Sequence, residues 1–392
     1  MADFPRKLEY KLLERSNSDA LRELQAVSKK VDFVSNDYLG MAKDEGVFHG
    51  AYRLLLDRGI IQNGATGSRL LSGNDELYME AERILCDHYS AETALIFNSG
   101  FDANIGFFAS VPQRTDVVFY DEYIHASIRD GIQMGNAKSY KYKHNDFKDL
   151  ASTIDRQKGS RNPDTEYYVV TEAVFSMDGD SPDVSYLVSI CKQQNCRLVI
   201  DEAHLILGSG NSQLDVTKID TAKDVLFARI VTFGKAMGIQ GAAILGSDKL
   251  KTYLVNFARS FVYTTALPPM SIAAIVLTHQ ILSSSQGEEH KKLLNRNIQC
   301  FNDEVLALGL QNIFITSKSA IHCGIIPGND TVKKTAAIMQ KHGFDVRPIL
   351  APTIPEGQER LRFCLHSYNT PQEIKEVLSI LASAINREIH VR

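Results

Sequence analysis

No stretch of this 392-residue sequence approaches 18 consecutive apolar residues, and its first residues, MADFPRKLEYKLLERSNSDALRE, are charged and lack the apolar centre of a secretion signal. No membrane span is expected, and the cytoplasm is the expected location. Neither sign of charge dominates: 43 Lys and Arg stand against 47 Asp and Glu, a formal net of -4, so no global field attracts nucleic acid or an anionic surface. The six cysteines, at positions 86, 191, 196, 300, 323 and 364, include no CxxC pair, and the spacing of Cys191 and Cys196 matches no common zinc site. Reduced thiols and no metal are expected. Internal repeats and low-complexity tracts are lacking as well, which excludes solenoids and flexible arrays.

What is there is enough apolar material, 44% of 392 residues, to fill the cores of two domains. Residues 6–29 read as a polar helix and VDFVSNDYLG (31–40) as a short strand running into a turn, together an N-terminal arm over 1–45. From 46 to 268, helical patterns alternate with β-rich runs at 93–98, 116–120, 166–172, 196–201, 228–234 and 241–246. That alternation predicts an α/β domain with a mostly parallel central sheet covered by helices. After Pro268-Pro269 a long helical stretch (270–310) precedes strands near 312–316, 321–327, 344–349 and 360–366, giving a smaller C-terminal α/β domain over 269–392. The polar patch SSSQGEEHKK (283–292) reads as a loop and helix start.

Ligands of parallel sheets gather at the carboxyl ends of the strands, and several equipped residues fall there. Asn98-Ser99-Gly100-Phe101 leaves a β-run and opens a helix, so its amides can meet an anion, although an ordinary strand-to-helix turn reads the same way. Asp201 ends the run CRLVI, and its carboxylate can pair with a protonated ring nitrogen. His204 follows in DEAH, which is also the acidic box of helicases. Helicase use would require GxxxxGK[ST] upstream, whereas Gly234-Lys235 lies downstream, is followed by Ala236, and has Arg229 in place of the first glycine. Lys235, between glycines in TFGKAMG, is either a surface lysine or a buried amine whose lowered pKa suits attack on carbonyls. His125 in DEYIHASI begins a helix, where an imidazole can stack on a flat ring. His144-Asn145-Asp146 reads as a helix cap and His88 as a helix-surface histidine. An anion cradle, an acidic strand end and an imine-forming amine are the three parts that pyridoxal phosphate (PLP) requires.

On these residues the chain resembles the α-oxoamine synthases of PLP fold type I, the aspartate-aminotransferase-like fold, over roughly 19–380. The carriers are DALR (19–22), SNDYLG (35–40), GATGSRLLSGN (64–74), NSGFDAN (98–104), DEYIHAS (121–127), HND (144–146), VTEAVFSMDGD (170–180), DEAH (201–204), VTFGKAMGIQGAAILGS (231–247), FARSFVYTTALPP (257–269) and ERLRF (359–363). The resemblance implies that Lys235 forms the imine, Asp201 pairs with the pyridinium nitrogen and His125 stacks on the ring. It implies that His204 and Ser176 hydrogen-bond the phenolic-oxygen side. Gly100, Phe101 and Thr232 would take the phosphate, with Thr265, and Thr264 beside it, donated by the second subunit of a homodimer. Asn36 and Arg362 match positions near the amino-acid carboxylate, and Arg22 an arginine associated with the acyl carboxylate in the biotin-biosynthesis branch.

The reaction implied is a decarboxylating condensation of L-alanine with a pimeloyl thioester, either pimeloyl-CoA or a pimeloyl carrier protein. FVYTTALPP and the DALR arginine favour that branch over those that join glycine to acetyl-CoA or succinyl-CoA, or serine to a palmitoyl thioester. A non-catalytic scaffold subunit of a larger synthase would be expected to lack the lysine, which is present at 235. One departure stands out: DEAH is followed by Leu205-Ile206-Leu207 before Gly208, where the family carries a small residue and an early glycine, beside the cofactor.

Overall fold

The computed structural model describes residues 3–18, 20–24, 26, 28–158, 164–207 and 215–389, with side chains to 385. Asp19 of the DALR stretch and Gly208 lie outside the described residues. The strands are β1 (Val31–Asp32), β2 (Thr93–Phe97), β3 (Val117–Asp121), β4 (Lys138–Tyr142), β5 (Tyr167–Glu172), β6 (Arg197–Asp201), β7 (Leu226–Thr232), β8 (Ala242–Gly246), β9 (Ile321–Ile325), β10 (Phe344–Asp345), β11 (Arg347–Ile349) and β12 (Arg360–Cys364).

A seven-stranded sheet has the order β2-β8-β7-β6-β5-β3-β4 and is parallel except for β8, which runs against both its neighbours. Its central strands are apolar almost without interruption because both faces are covered. Val118, Val170 and Val199 pack on one side with Phe107, Phe108 and Ile128, while Phe119, Val169, Leu198 and Ile200 pack on the other with Leu150, Leu187 and Val188. The two-residue alternation of a strand thus builds two cores from one sheet. The helices covering it begin on side-chain caps: Asp75 accepts from Tyr78 N, Ser99 from Asp102 N, and Asp183 from Tyr186 N.

The chain divides into two compact units, one of residues 36–295 with 366–368, the other of 1–35, 296–365 and 369–392. These boundaries differ from those expected. The helix Pro269–Leu282 belongs to the larger unit, where Ile272, Ala273, Ile275, Val276 and Leu282 are buried and the helix packs on Glu45–Asp57 and Glu76–Tyr89. In the smaller unit β1 pairs in parallel with β10, so the N-terminal strand is part of that unit rather than an independent arm. The same unit holds an antiparallel sheet of order β11-β12-β9. Among the described residues no helix is long and apolar enough to cross a membrane.

Candidate active site

The sheet's strand order turns Phe97, Glu172, Asp201 and Thr232, the last residues of β2, β5, β6 and β7, toward one edge. A cavity of about 140 Å3 opens there, lined by Gly100, Phe101, Asn104, His125, Ser127, Glu172, Asp201, Ala203, Ile230, Thr232 and Lys235. Six of the residues singled out in the sequence therefore meet: Gly100, Phe101, His125, Asp201, Thr232 and Lys235.

One end of the cavity is built for an anion. Gly100 opens the helix Gly100–Ser110, and the first amides of a helix have no partners within it. A Cβ on Gly100 would lie 3.3 Å from both Cβ and Oγ1 of Thr232, so the absence of a side chain lets this turn close on the threonine. Asn98 fixes the approach by donating its amide to Thr264 Oγ1 (3.1 Å) and Thr265 O (2.7 Å).

The other end is acidic. Asp201 is buried, accepting from Asn104 Nδ2 at 2.9 Å and from Ala203 N at 2.9 Å. Glu172 stands beside it in register and accepts from His125 N at 2.6 Å. Burial, and next the charge of Asp201, push the Glu172 carboxyl up to about 8. With Glu172 holding a proton, the buried carboxyl of Asp201 remains to face a cation at this end. His125 is anchored by Ser127, whose Oγ lies 2.7 Å from Nδ1 and which also accepts from Asn104. Burial holds its imidazole below the ordinary histidine range.

Lys235 Nζ lies 2.7 Å from His204 Nε2, and His204 Nδ1 lies 2.7 Å from the Tyr38 hydroxyl. Tyr38 in turn donates to Asn36 Oδ1 at 3.0 Å. With its only proton given to Asn36, the Tyr38 oxygen accepts from Nδ1, which leaves Nε2 as the lone pair facing the lysine.

This donor set fits PLP: amides and a hydroxyl for a phosphate, a buried carboxylate for a ring N–H, and an amine for an aldehyde carbon. Ser176 is half-buried in the turn after β5 and does not line the cavity. Thr265 is exposed. Arg22 and Arg362 belong to the smaller unit: Arg22 is exposed, with Nη2 3.3 Å from Thr353 Oγ1, and Arg362 Nη1 donates to Cys364 Sγ at 2.9 Å. Glu172, Asn104 and Tyr38 lie in motifs quoted above but were assigned no role from the sequence. For Glu172 the available signal was an acidic residue closing an apolar run, as Asp201 does.

His88 departs from the expected surface position. It packs edge-on to Tyr89 and His279, and burial lowers its pKa to about 4.

Fold and cavity together define a PLP-dependent enzyme of fold type I. The sequence matches the model of the family described as aminotransferase class I and II over residues 28–381. It is 33% identical over 420 aligned residues to the 8-amino-7-oxononanoate synthase of Emericella nidulans, covering 99% of this chain and 98% of that one. The crystal structure of 8-amino-7-oxononanoate synthase from Francisella tularensis superimposes with a TM-score of 0.75 at 28% identity, covering 92% and 99% of the two chains. Serine palmitoyltransferase of Sphingomonas wittichii shares the fold, with a TM-score of 0.86 at 24% identity over 98% of this chain and 99% of that one. The chain belongs to the aminotransferase class I and II family and, within it, to the α-oxoamine synthases, with PLP as cofactor.

Proposed function

We propose that the protein condenses L-alanine with a pimeloyl thioester, on CoA or a carrier protein, releasing 8-amino-7-oxononanoate, carbon dioxide and the free thiol. The observation that carries this reading is the end-to-end likeness to a relative named 8-amino-7-oxononanoate synthase. When bound, PLP supplies a cationic ring that accepts the electron pair of a bond broken at Cα.

Everything else falls to the residues. Lys235 Nζ would hold the cofactor and, when free, would be the base for the Cα proton. His204 Nε2, 2.7 Å away, can take a proton from the lysine, so that the amine meets its substrate neutral. Asp201 would hold positive charge on the ring nitrogen, and His125 would pack against the ring and help orient the bond to be broken. Gly100, Phe101 and Thr232 receive the phosphate, with Thr265 reaching in from the second subunit of a homodimer. Ser176 and His204 serve the phenolic oxygen. Asn36 and Arg362 take the amino-acid carboxylate, and Arg22 the carboxylate at the far end of the acyl chain, where a guanidinium fork is suited to it.

A methyl group in an apolar pocket is worth about 1–3 kcal/mol, so the preference for alanine is real but leaky, whereas the acyl chain is selected by charge. The test is a matrix of alanine, glycine and serine against pimeloyl, acetyl, succinyl and palmitoyl thioesters, read as thiol release and product mass. Alanine with pimeloyl should turn over fastest, and Arg22→Ala should weaken pimeloyl use far more than alanine binding. A win for serine with palmitoyl or glycine with acetyl contradicts the assignment.

A further inference from the structure

Outside the cavity, one imidazole bridges two of the loops that surround it. His144 follows the edge strand β4; its Nδ1 lies 2.9 Å from Asp121 Oδ1 and its Nε2 lies 2.9 Å from Asp180 Oδ2. Asp121 is the last residue of β3, four residues before His125, and Asp180 lies four residues after Ser176. Each carboxylate thus belongs to a loop that carries a residue assigned to the cofactor.

The surroundings hold the bridge in place. Tyr123 stacks on the imidazole with ring centres 4.5 Å apart, and Phe175 meets it edge-on at 4.5 Å. Asn145 doubles the link, donating its backbone N–H to Asp121 Oδ2 at 2.9 Å and its side-chain amide to Asp180 Oδ2 at 2.8 Å. The Ser176 turn is closed by Phe175 N to Asp180 O (3.0 Å) and Gly179 N to Phe175 O (2.8 Å), with Gly179 at φ +77°. A tie at Asp180 therefore fixes the whole turn.

Both ring nitrogens face carboxylates, which only accept, and Asn145 Nδ2 lies farther off, 3.3 Å from Nε2; a proton on each nitrogen satisfies both carboxylates and makes His144 an imidazolium. The groups around it are Asp121 and Glu122 from the end of β3, and Asp178 and Asp180 from the turn after β5. Asp178 Oδ2 lies 4.0 Å from Nε2, and Glu122 accepts from His144 N at 3.1 Å. Burial opposes the charge but is outweighed by the bonds to Asp121 and Asp180, so the group's pKa rises to about 9.

We propose that His144 is a positioning residue of the cofactor site, a charged strap that holds the loop bearing His125 against the turn bearing Ser176. The inference rests on the assignment of His125 and Ser176 to PLP made above. The strap touches neither substrate nor cofactor; it sets the geometry of the groups that do.

The experiment measures PLP dissociation constants and the visible absorbance maximum of the reconstituted enzyme for wild type, His144→Gln, Asp180→Asn and the double variant. His144→Gln should weaken PLP binding roughly tenfold, because glutamine can donate to only one of the two carboxylates. Asp180→Asn keeps the size and should weaken binding about threefold; it decides the matter if His144→Gln does not fold. The double variant should bind PLP no more than about twofold more weakly than His144→Gln alone, because both changes break the same link. The absorbance maximum should shift in both single variants, which a role in folding alone does not predict. PLP affinity and absorbance unchanged in both single variants, or losses that simply multiply in the double variant, overturn the strap. Ser176→Ala separates the two levels. If it shifts absorbance while His144→Gln does not, the strap alone fails; if it shifts nothing, the site assignment fails and the strap with it.

Discussion

Glu172 and Asp201 close adjacent strands with their carboxyl groups in one buried pocket, and the proton held there makes stability depend on pH. Glu172 has an ordinary value near 4.5 and a folded-state value near 8. Between those two values the folded chain keeps a proton that the unfolded chain releases. The stability of the apoprotein should therefore be highest, as far as this group is concerned, below about pH 4.5, and should decline as pH rises through about 8. Thermal denaturation of wild-type and Glu172→Gln apoprotein isolates the effect: the variant should gain on wild type steadily from about pH 5 to about pH 8.5. A constant difference across that range contradicts the account that Glu172 keeps its proton in the folded chain.

Tyr38 makes a second test at this scale. It is fully buried, and its hydroxyl fixes which nitrogen of His204 faces Lys235. Tyr38→Phe keeps the packing and removes the constraint, so kcat should fall roughly tenfold while Tm moves by only a few degrees. A kcat within about twofold of wild type means that the tautomer is set elsewhere.

At the scale of the element, strands with apolar sequences were legible and polar ones were not. The runs at 93–98, 116–120, 166–172, 196–201, 228–234 and 241–246 correspond to β2, β3, β5, β6, β7 and β8. The seventh strand, β4, reads KSYKY, a polar edge whose lysines protect it from pairing with other chains and erase the signal that marks a strand. The helical stretch 270–310 is two helices, Pro269–Leu282 and Ser285–Ala307, with a break at Ser283-Ser284 inside the patch read as a loop and helix start. The first helix ends at Asn17 rather than near 29 and buries none of its residues, so no packing extends it. The expected strand at 312–316 reduces to one bridge between Phe314 and Gly324, and 344–349 splits into β10 and β11. In the site, Lys235, Asp201 and Gly100 were legible because each closes or follows a strand. Asn104 and Tyr38 were not, because their partners, Asp201 and His204, lie 97 and 166 residues away.

At the scale of the whole molecule the account requires two chains. Thr265 is exposed and its carbonyl accepts from Asn98, just after β2, so the role proposed for it in a second subunit's site would fall to its hydroxyl. Lys235→Ala and Thr265→Val should each be impaired alone. Mixed with subunit exchange, they should recover roughly a quarter of wild-type activity, since half the dimers are hybrids and each hybrid holds one intact site. No recovery, with exchange demonstrated, places Thr265 outside the partner's site.

The central claim is that this cavity joins an amino acid to an acyl thioester and expels the amino acid's own carboxyl group. Alanine carrying 13C in its carboxyl carbon, supplied with pimeloyl-CoA to the PLP-loaded enzyme, tests it most directly. The account predicts that the label leaves as carbon dioxide in one-to-one proportion with free CoA, and that the product has the mass of unlabelled 8-amino-7-oxononanoate. Label retained in the product, or CoA released without labelled carbon dioxide, contradicts it.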